Sequence, residues 1–235
     1  MSAAKRVLAF CSRHVWSLSL AGLSAVAFAH LASEIAEEEL GPFDNAVASW
    51  IRDRRASWDG PMLALTWLGS FGPLLVLAGV VVVVLVMVRR RWEAAYVATC
   101  ASGGPLLCAG LKLFFRRARP RTDVNYLIEA PHSFSFPSGH AMGSASVVGA
   151  LVILAFALRA PLPWRIAAVV LGMAIALGVA ASRVYFGVHY PSDVIGGQLA
   201  AAAWVAVVTG WFYPRLLPAE AAVVSPSSAI DAASD

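Results

Sequence analysis

Apolar residues run through this chain in blocks too long for soluble helices and without the alternation of surface strands. Six stretches stand out, at about 14–31, 62–88, 92–115, 138–158, 164–183 and 191–213. Each comes close to or exceeds the roughly 20 residues that cross a bilayer as a helix. The run from Val80 to Val84 would suit a strand in a soluble protein, but at this length it reads as lipid-embedded helix. The second stretch is long and holds Gly72-Pro73, which predicts a bend there or a start in the interface. After Gly41-Pro42, the residues Phe43, Val47, Trp50 and Ile51 recur at helical spacing opposite Arg52, Asp53 and Arg55. That pattern predicts a short interfacial helix on the outer leaflet. The expected fold is all-α: a polytopic membrane protein, a six-transmembrane-helix bundle with a short interfacial helix. Trp67 and Trp204, near mid-span, are expected to pack inside it. Gly172, Gly178, Gly196 and Gly197 are expected to be close helix-packing points.

Composition agrees with the pattern. The chain is 59% hydrophobic and 14% charged, with a mean hydropathy of +0.71, more apolar surface than a soluble domain of this length hides. The net charge of +4 is informative mainly by location. Lys5, Arg6 and Arg13 precede the first span; Arg89, Arg90 and Arg91 join spans two and three; Arg159 and Arg165 flank the next such link; Arg215 ends the last. The positive-inside rule makes these faces cytoplasmic. Trp16, Trp92, Trp164 and Trp211 would form an inner belt, with Trp50 and Trp58 outside. The expected location is a cell (inner or plasma) membrane, with the links 116–137 and 184–190 facing the periplasm or exterior.

Arg116, Arg117, Arg119 and Arg121 break that rule, so a functional reason is expected to keep charge on the outer side. Lys5 and Arg6 followed by an apolar run and Ala27-Phe28-Ala29 also resemble a secretory signal; the length of the run favours a retained helix. The acidic run Glu34, Glu37, Glu38 and Glu39 reads as a solvated helix end. Cys100 and Cys108 lie about 12 Å apart along one helix, too far to bridge, and with Cys11 they are given no role. One domain is expected over 1–213, followed by a disordered tail at 214–235.

Three short polar blocks interrupt the apolar pattern at its outer edge: Lys112-x6-Arg119-Pro120, Pro137-Ser138-Gly139-His140, and Ser182-Arg183-x5-His189-x3-Asp193. In the first, Lys112 falls in the last turn of a span, where a cation complements the helix dipole. Arg119, fixed before a proline, has the planar fork of a phosphate clamp. Arg116, Arg117 and Arg121 are expected to meet lipid headgroups instead. In the second block, a helix N-terminus offers free N–H groups to an anion. Gly139 lets an oxyanion approach, Ser138 can donate its hydroxyl, and His140 projects from the first turn; a simple helix cap is the bland alternative. Phe134 and Phe136 are expected to wedge this loop into the interface. In the third, Asp193 can reach back one turn to His189, hold one imidazole nitrogen and leave the other as a nucleophile. Arg183 ends a span on the same face.

Together the blocks resemble the signature of the type-2 phosphatidic acid phosphatase superfamily, which includes membrane lipid phosphatases and is related to vanadium-dependent haloperoxidases. The match extends over about 60–205, with no departure in spacing. The resemblance implies metal-independent phosphoryl transfer in two steps. His189 would attack phosphorus, oriented by Asp193, to give a phosphohistidine. His140 would protonate the leaving oxygen and then activate water, while Lys112, Arg119, Ser138, Gly139 and Arg183 would hold the non-bridging oxygens.

Sparse carboxylates support the absence of a metal: after residue 111 the outer links hold only Asp123, Glu129 and Asp193, and His132 is read as loop polarity. No cofactor and no nucleic-acid partner are expected. The expected substrate is a lipid phosphate or diphosphate, such as phosphatidic acid, phosphatidylglycerol phosphate or a polyprenyl diphosphate. Transfer to a sugar or lipid acceptor is the alternative. A transporter would place its ionisable groups near mid-bilayer, which this chain does not.

Overall fold

The computed structural model describes residues 3–53, 58–120, 128 and 132–216, with side chains from residue 15 onward except that of Arg52. Among these residues there are eight helices and no strand. They are α1 (Ala3–Ala36), α2 (Gly41–Arg52), α3 (Asp59–Leu68), α4 (Phe71–Met87), α5 (Arg91–Phe115), α6 (Gly139–Ala157), α7 (Leu162–Tyr185) and α8 (Pro191–Leu216). Helices α1, α5, α6, α7 and α8 are each long and apolar enough to cross a membrane, and α3 with α4, bent by 52°, are together long and apolar enough for a sixth span if they act as one. The chain is thus a multi-pass membrane protein. Side chains of Lys5, Arg6, Cys11, Arg13, Arg55, Arg121, Asp123 and Glu129, and residues 217–235 of the expected tail, lie outside the described residues. Pro214 to Leu216, expected in that tail, form the last turn of α8.

The bundle is apolar outside and small inside. Leu23, Met87, Leu106 and Phe114 are between 71% and 78% exposed, as lipid-facing side chains must be. At the centre lie α6 and α8, the two most buried spans, packed through Ala, Ser, Gly and Val. Small residues let helix backbones approach where the surrounding lipid offers no hydrophobic drive. A Cβ at Gly103 would fall 2.0 Å from the Trp204 ring, and one at Gly172 2.7 Å from Val148. Trp204 packs inside as expected, its Nε1 donating to the Cys100 carbonyl at 3.3 Å. Cys100 and Cys108 are buried free thiols.

Two expectations need correcting. The second span bends at Gly69-Ser70, just before the expected Gly72-Pro73. Pro73 falls in the first turn of α4, where a missing N–H breaks no hydrogen bond. The bend sits where α3 presses on α7: a Cβ on Gly69 would meet Val179 at 2.2 Å. Trp67, expected to pack inside, is 66% exposed, because its neighbour Thr66 takes the inward position of α3. Helix α2 is present, but its buried face is Asp44, with Val47 and Ile51 partly covered, while Phe43 and Trp50 turn outward.

Connectivity then sorts the polar residues. The ends of α5 and α7 and the starts of α6 and α8 lie together at one end of the bundle. The other end carries the cationic and aromatic residues of the expected inner belt, such as Arg215 stacked 4.8 Å from the Trp92 ring. All three polar blocks fall at the first of these ends.

Candidate active site

Helix α5 stops because Arg116 adopts a left-handed conformation (φ 49°), its N–H closing on the Lys112 carbonyl at 3.0 Å. This reversal folds residues 117–119 back over the bundle. Arg119 then bridges two loops. Its guanidinium donates to the carbonyls of Ser133 (2.8 Å) and Val188 (2.7 Å), and an N–H points at His189 Nε2, 3.1 Å away. Lys112 reaches the same place from α5, donating to the carbonyls of Phe134 and Ser135.

His189 is almost fully buried, between the left-handed turn at Gly187 (φ 64°) and the start of α8 at Pro191. Asp193, one turn into that helix, has no exposed surface and holds His189 Nδ1 at 3.3 Å. The same carboxylate accepts from the Tyr190 backbone N–H at 2.9 Å, from Ser135 Oγ and from Arg117 at 2.7 Å. These partners assign the tautomer. Arginine can only donate, so Nε2 must be the acceptor and the ring proton sits on Nδ1, facing Asp193. Burial pushes the His189 pKa down to about 4, against the opposing pull of the Asp193 hydrogen bond and charge. The imidazole is therefore neutral near physiological pH. Burial also lowers the Arg119 pKa, with Asp193 opposing.

The start of α6 closes the pocket. Gly196 and Gly197 of α8 admit the loop before it: a Cβ on Gly196 would overlap Phe136 at 2.3 Å, and one on Gly197 would meet the Ser138 carbonyl at 2.8 Å. The Ser138 N–H donates to the Asp193 carbonyl at 3.0 Å, which ties this loop to the third block. Arg183 arrives from α7, buried, with one N–H donated to Thr66 Oγ1 at 3.0 Å; Thr66 Oγ1 also lies 2.8 Å from Ser182 Oγ. Arg183, His189, Arg119 and Lys112 all act electrostatically on His140. All eight residues singled out in the sequence thus converge: Lys112, Arg119, Ser138, Gly139, His140, Arg183, His189 and Asp193. Two of their buried polar atoms, Ser138 Oγ and Arg183 Nε, have no hydrogen-bond partner among the described residues.

Several residues with a part in the site were missed or misjudged. Arg117, expected at lipid headgroups, is paired to Asp193 and to the buried Asp44 at 2.8 Å. Phe136, expected in the interface, is fully buried and stacks on Phe28 at 5.4 Å, because the α8 glycines leave it room. Ser135 and Thr66 carried no signal beyond being hydroxyls. Asp44 did carry one: a carboxylate on the same helical face as Val47 and Ile51. Arg116 and His132 are exposed. Among the described residues, no three His, Cys, Asp or Glu side chains gather to hold a metal ion.

Comparison with known proteins adds the lineage. The PAP2 superfamily model matches residues 92–216. A phosphatidylglycerophosphatase B of Bacillus subtilis (strain 168) is 32% identical over 176 residues, covering 72% of this chain and 83% of that protein. A lipid A 1-phosphatase of Rhizobium etli is 37% identical over 131 residues, covering 53% of this chain but only 52% of that relative. The crystal structure of a transmembrane PAP2-type phosphatidylglycerolphosphate phosphatase from Bacillus subtilis superposes with a TM-score of 0.72 at 29% identity, over 82% of this chain and 95% of that one. With its helical bundle, its three matching blocks and these similarities, the chain belongs to the PAP2 superfamily.

Proposed function

We propose that this membrane lipid phosphatase hydrolyses a lipid phosphate or diphosphate at the outer face of a cell membrane, through a phosphohistidine and without a metal ion. The observation that carries this reading is the pair of buried donors without partners among the described residues, Ser138 Oγ and Arg183 Nε, beside Lys112, Arg119 and the start of α6. A buried donor left unpaired costs about 1–3 kcal/mol, which the oxygens of a phosphoryl group would recover. Among the described residues, the fixed charges that act on His140 are the cations Arg183, Arg119 and Lys112, and Asp193 is turned to the far side of His189.

In the first step, Nε2 of His189 attacks phosphorus while Nδ1–H stays with Asp193. The N–H of Arg119 now directed at Nε2 passes to a phosphate oxygen. The P–O bond to the lipid breaks, and the departing oxygen takes a proton from His140. In the second step, His140 takes a proton from water, whose oxygen attacks phosphorus, releasing inorganic phosphate and restoring His189. Cations, the Ser138 hydroxyl and the Gly139 N–H meet the charge that builds on the three non-bridging oxygens. The phosphate's own negative charge also lets His140 carry a proton beside three fixed cations.

A lipid substrate fits the surroundings. A groove of about 290 Å³ runs between α4, α5 and α6, lined by residues such as Phe71, Leu74, Ala101 and Ala109, and ends at Lys112, Gly139 and His140. Its apolar walls suit an acyl or prenyl chain, with the phosphate at the polar end. Relatives named for phosphatidylglycerol phosphate, lipid A and undecaprenyl diphosphate support a lipid phosphate or diphosphate as the substrate class. In purified protein supplied with phosphatidylglycerol phosphate in nanodiscs, His189→Ala should reduce phosphate release by about 10³-fold or more. Wild-type activity should persist in excess EDTA. Turnover by His189→Ala, or loss of wild-type activity in EDTA that added divalent ions restore, would overturn the reading.

A further inference from the structure

Behind His189, away from the substrate pocket, lies a second set of charges that the phosphoryl chemistry does not use directly. Arg117 donates to Asp193 Oδ1 at 2.7 Å and to Asp44 Oδ2 at 2.8 Å, with its guanidinium 4.2 Å above the Tyr190 ring. Asp44, from the interfacial helix α2, is 1% exposed. It also accepts from the Ser192 backbone N–H at 2.9 Å and the Ser192 hydroxyl at 2.6 Å, so it caps the first turn of α8 from another helix.

The charge count matters. With its Nδ1 proton retained, a phosphorylated His189 ring is cationic and needs a net negative charge behind it. Asp193 alone supplies one. Arg117, in direct contact, would cancel it, and Asp44 on the other side of Arg117 restores it.

We propose that Asp44 and Arg117 are positioning residues of the reaction, forming with Asp193 a three-charge chain that keeps one net negative charge behind His189 and holds Asp193 in line with Nδ1. The inference rests on the phosphohistidine reading. The other charged or titratable groups facing His189 are Arg119 beside it, Lys112 from α5, His140 from α6 and Arg183 from α7, and they are the same in every variant below.

The test uses the full chain in nanodiscs with phosphatidylglycerol phosphate, and reads kcat, KM and the acid limb of the kcat/KM profile. Asp44→Asn brings the chain to zero charge. It should lower kcat about 10- to 100-fold, the size of effect that losing an outer partner has on a metal-ligating histidine. KM should change little, and the acid limb should move to lower pH. Arg117→Gln brings the chain to two negative charges and should move the acid limb the other way. The double variant restores one negative charge, so its acid limb should return to the wild-type position and its kcat should exceed that of Asp44→Asn. A purely structural role predicts the opposite ranking, because the double variant loses the most hydrogen bonds. Shifts in one direction for both single variants, or a double variant worse than either, overturn the proposal. Should Asp44→Asn fail to fold, Arg117→Gln against the double variant decides by the same criterion. Turnover by His189→Ala would instead remove the phosphohistidine reading itself. An inactive His189→Ala with one common pH profile for the other variants would remove only this inference.

Discussion

His189 is prepared for its proposed task by what each ring nitrogen meets. Nδ1 faces a carboxylate with no exposed surface, and Nε2 faces an Arg119 donor that a phosphate oxygen can take over. Burial keeps the ring neutral, and the pKa of about 4 fixes the sign of the pH dependence. A histidine whose pKa is lowered is a competent nucleophile above that value and loses its lone pair as pH falls through it. Ring-nitrogen chemical shifts of His189 should therefore report a neutral ring with the proton on Nδ1 from neutral pH down to mildly acidic conditions, protonating only near pH 4. Protonation near the ordinary histidine value of about 6.5 would contradict the burial argument. Asp193→Asn should reverse the preferred tautomer and slow turnover by about 10²- to 10⁴-fold, as for other histidines held by a buried carboxylate.

At the scale of elements, the pocket exists because two glycines of α8 accept the loop that leads into α6. A Cβ on Gly197 would lie 2.8 Å from the Ser138 carbonyl and 3.1 Å from the Met142 backbone nitrogen, neither of which can swing aside. Gly197→Ala should cost about 1–3 kcal/mol of stability by overpacking. It should also lower kcat, because a small displacement of Ser138 and Gly139 misplaces the oxyanion donors. Gly22→Ala is the control, since a Cβ there meets nothing within 4 Å. Equal melting temperature and kcat in the two variants would refute the packing claim.

This contact also marks how far the sequence alone could be read. Lys112, Arg119, His140, Arg183, His189 and Asp193 were legible because each sits at a span end, where charge stands out against an apolar run. Gly197 was legible as a helix-packing point, and it does pack on the first turn of α6 at Ala141 and Met142; that it also seats the Ser138 carbonyl before that helix was not legible. Asp44 and Thr66 act across 148 and 116 residues, on Ser192 and Ser182 respectively. Such pairings exist only once α2 and α3 are docked. Arg117 was misread because its sequence surroundings are those of an exposed basic loop, whereas the left-handed turn at Arg116 redirects it inward.

Across the described molecule, the three polar blocks gather at one end of a lipid-facing bundle. Three cations, the start of a helix and two histidines meet there, and an apolar groove leads to them between α4, α5 and α6. On the proposed reading, a lipid would keep its chain among these apolar walls while its phosphate reached groups that would be costly to bury elsewhere in a bilayer. If the phosphoryl group passes through His189, rapid acid-free quenching with radiolabelled lipid phosphate should trap it there. Label should then be found on the wild-type protein, stable to alkali and released by acid, in the peptide containing His189, and should be absent in His189→Ala. Steady phosphate release with no labelled protein under single-turnover conditions, or label at any other residue, would contradict that route.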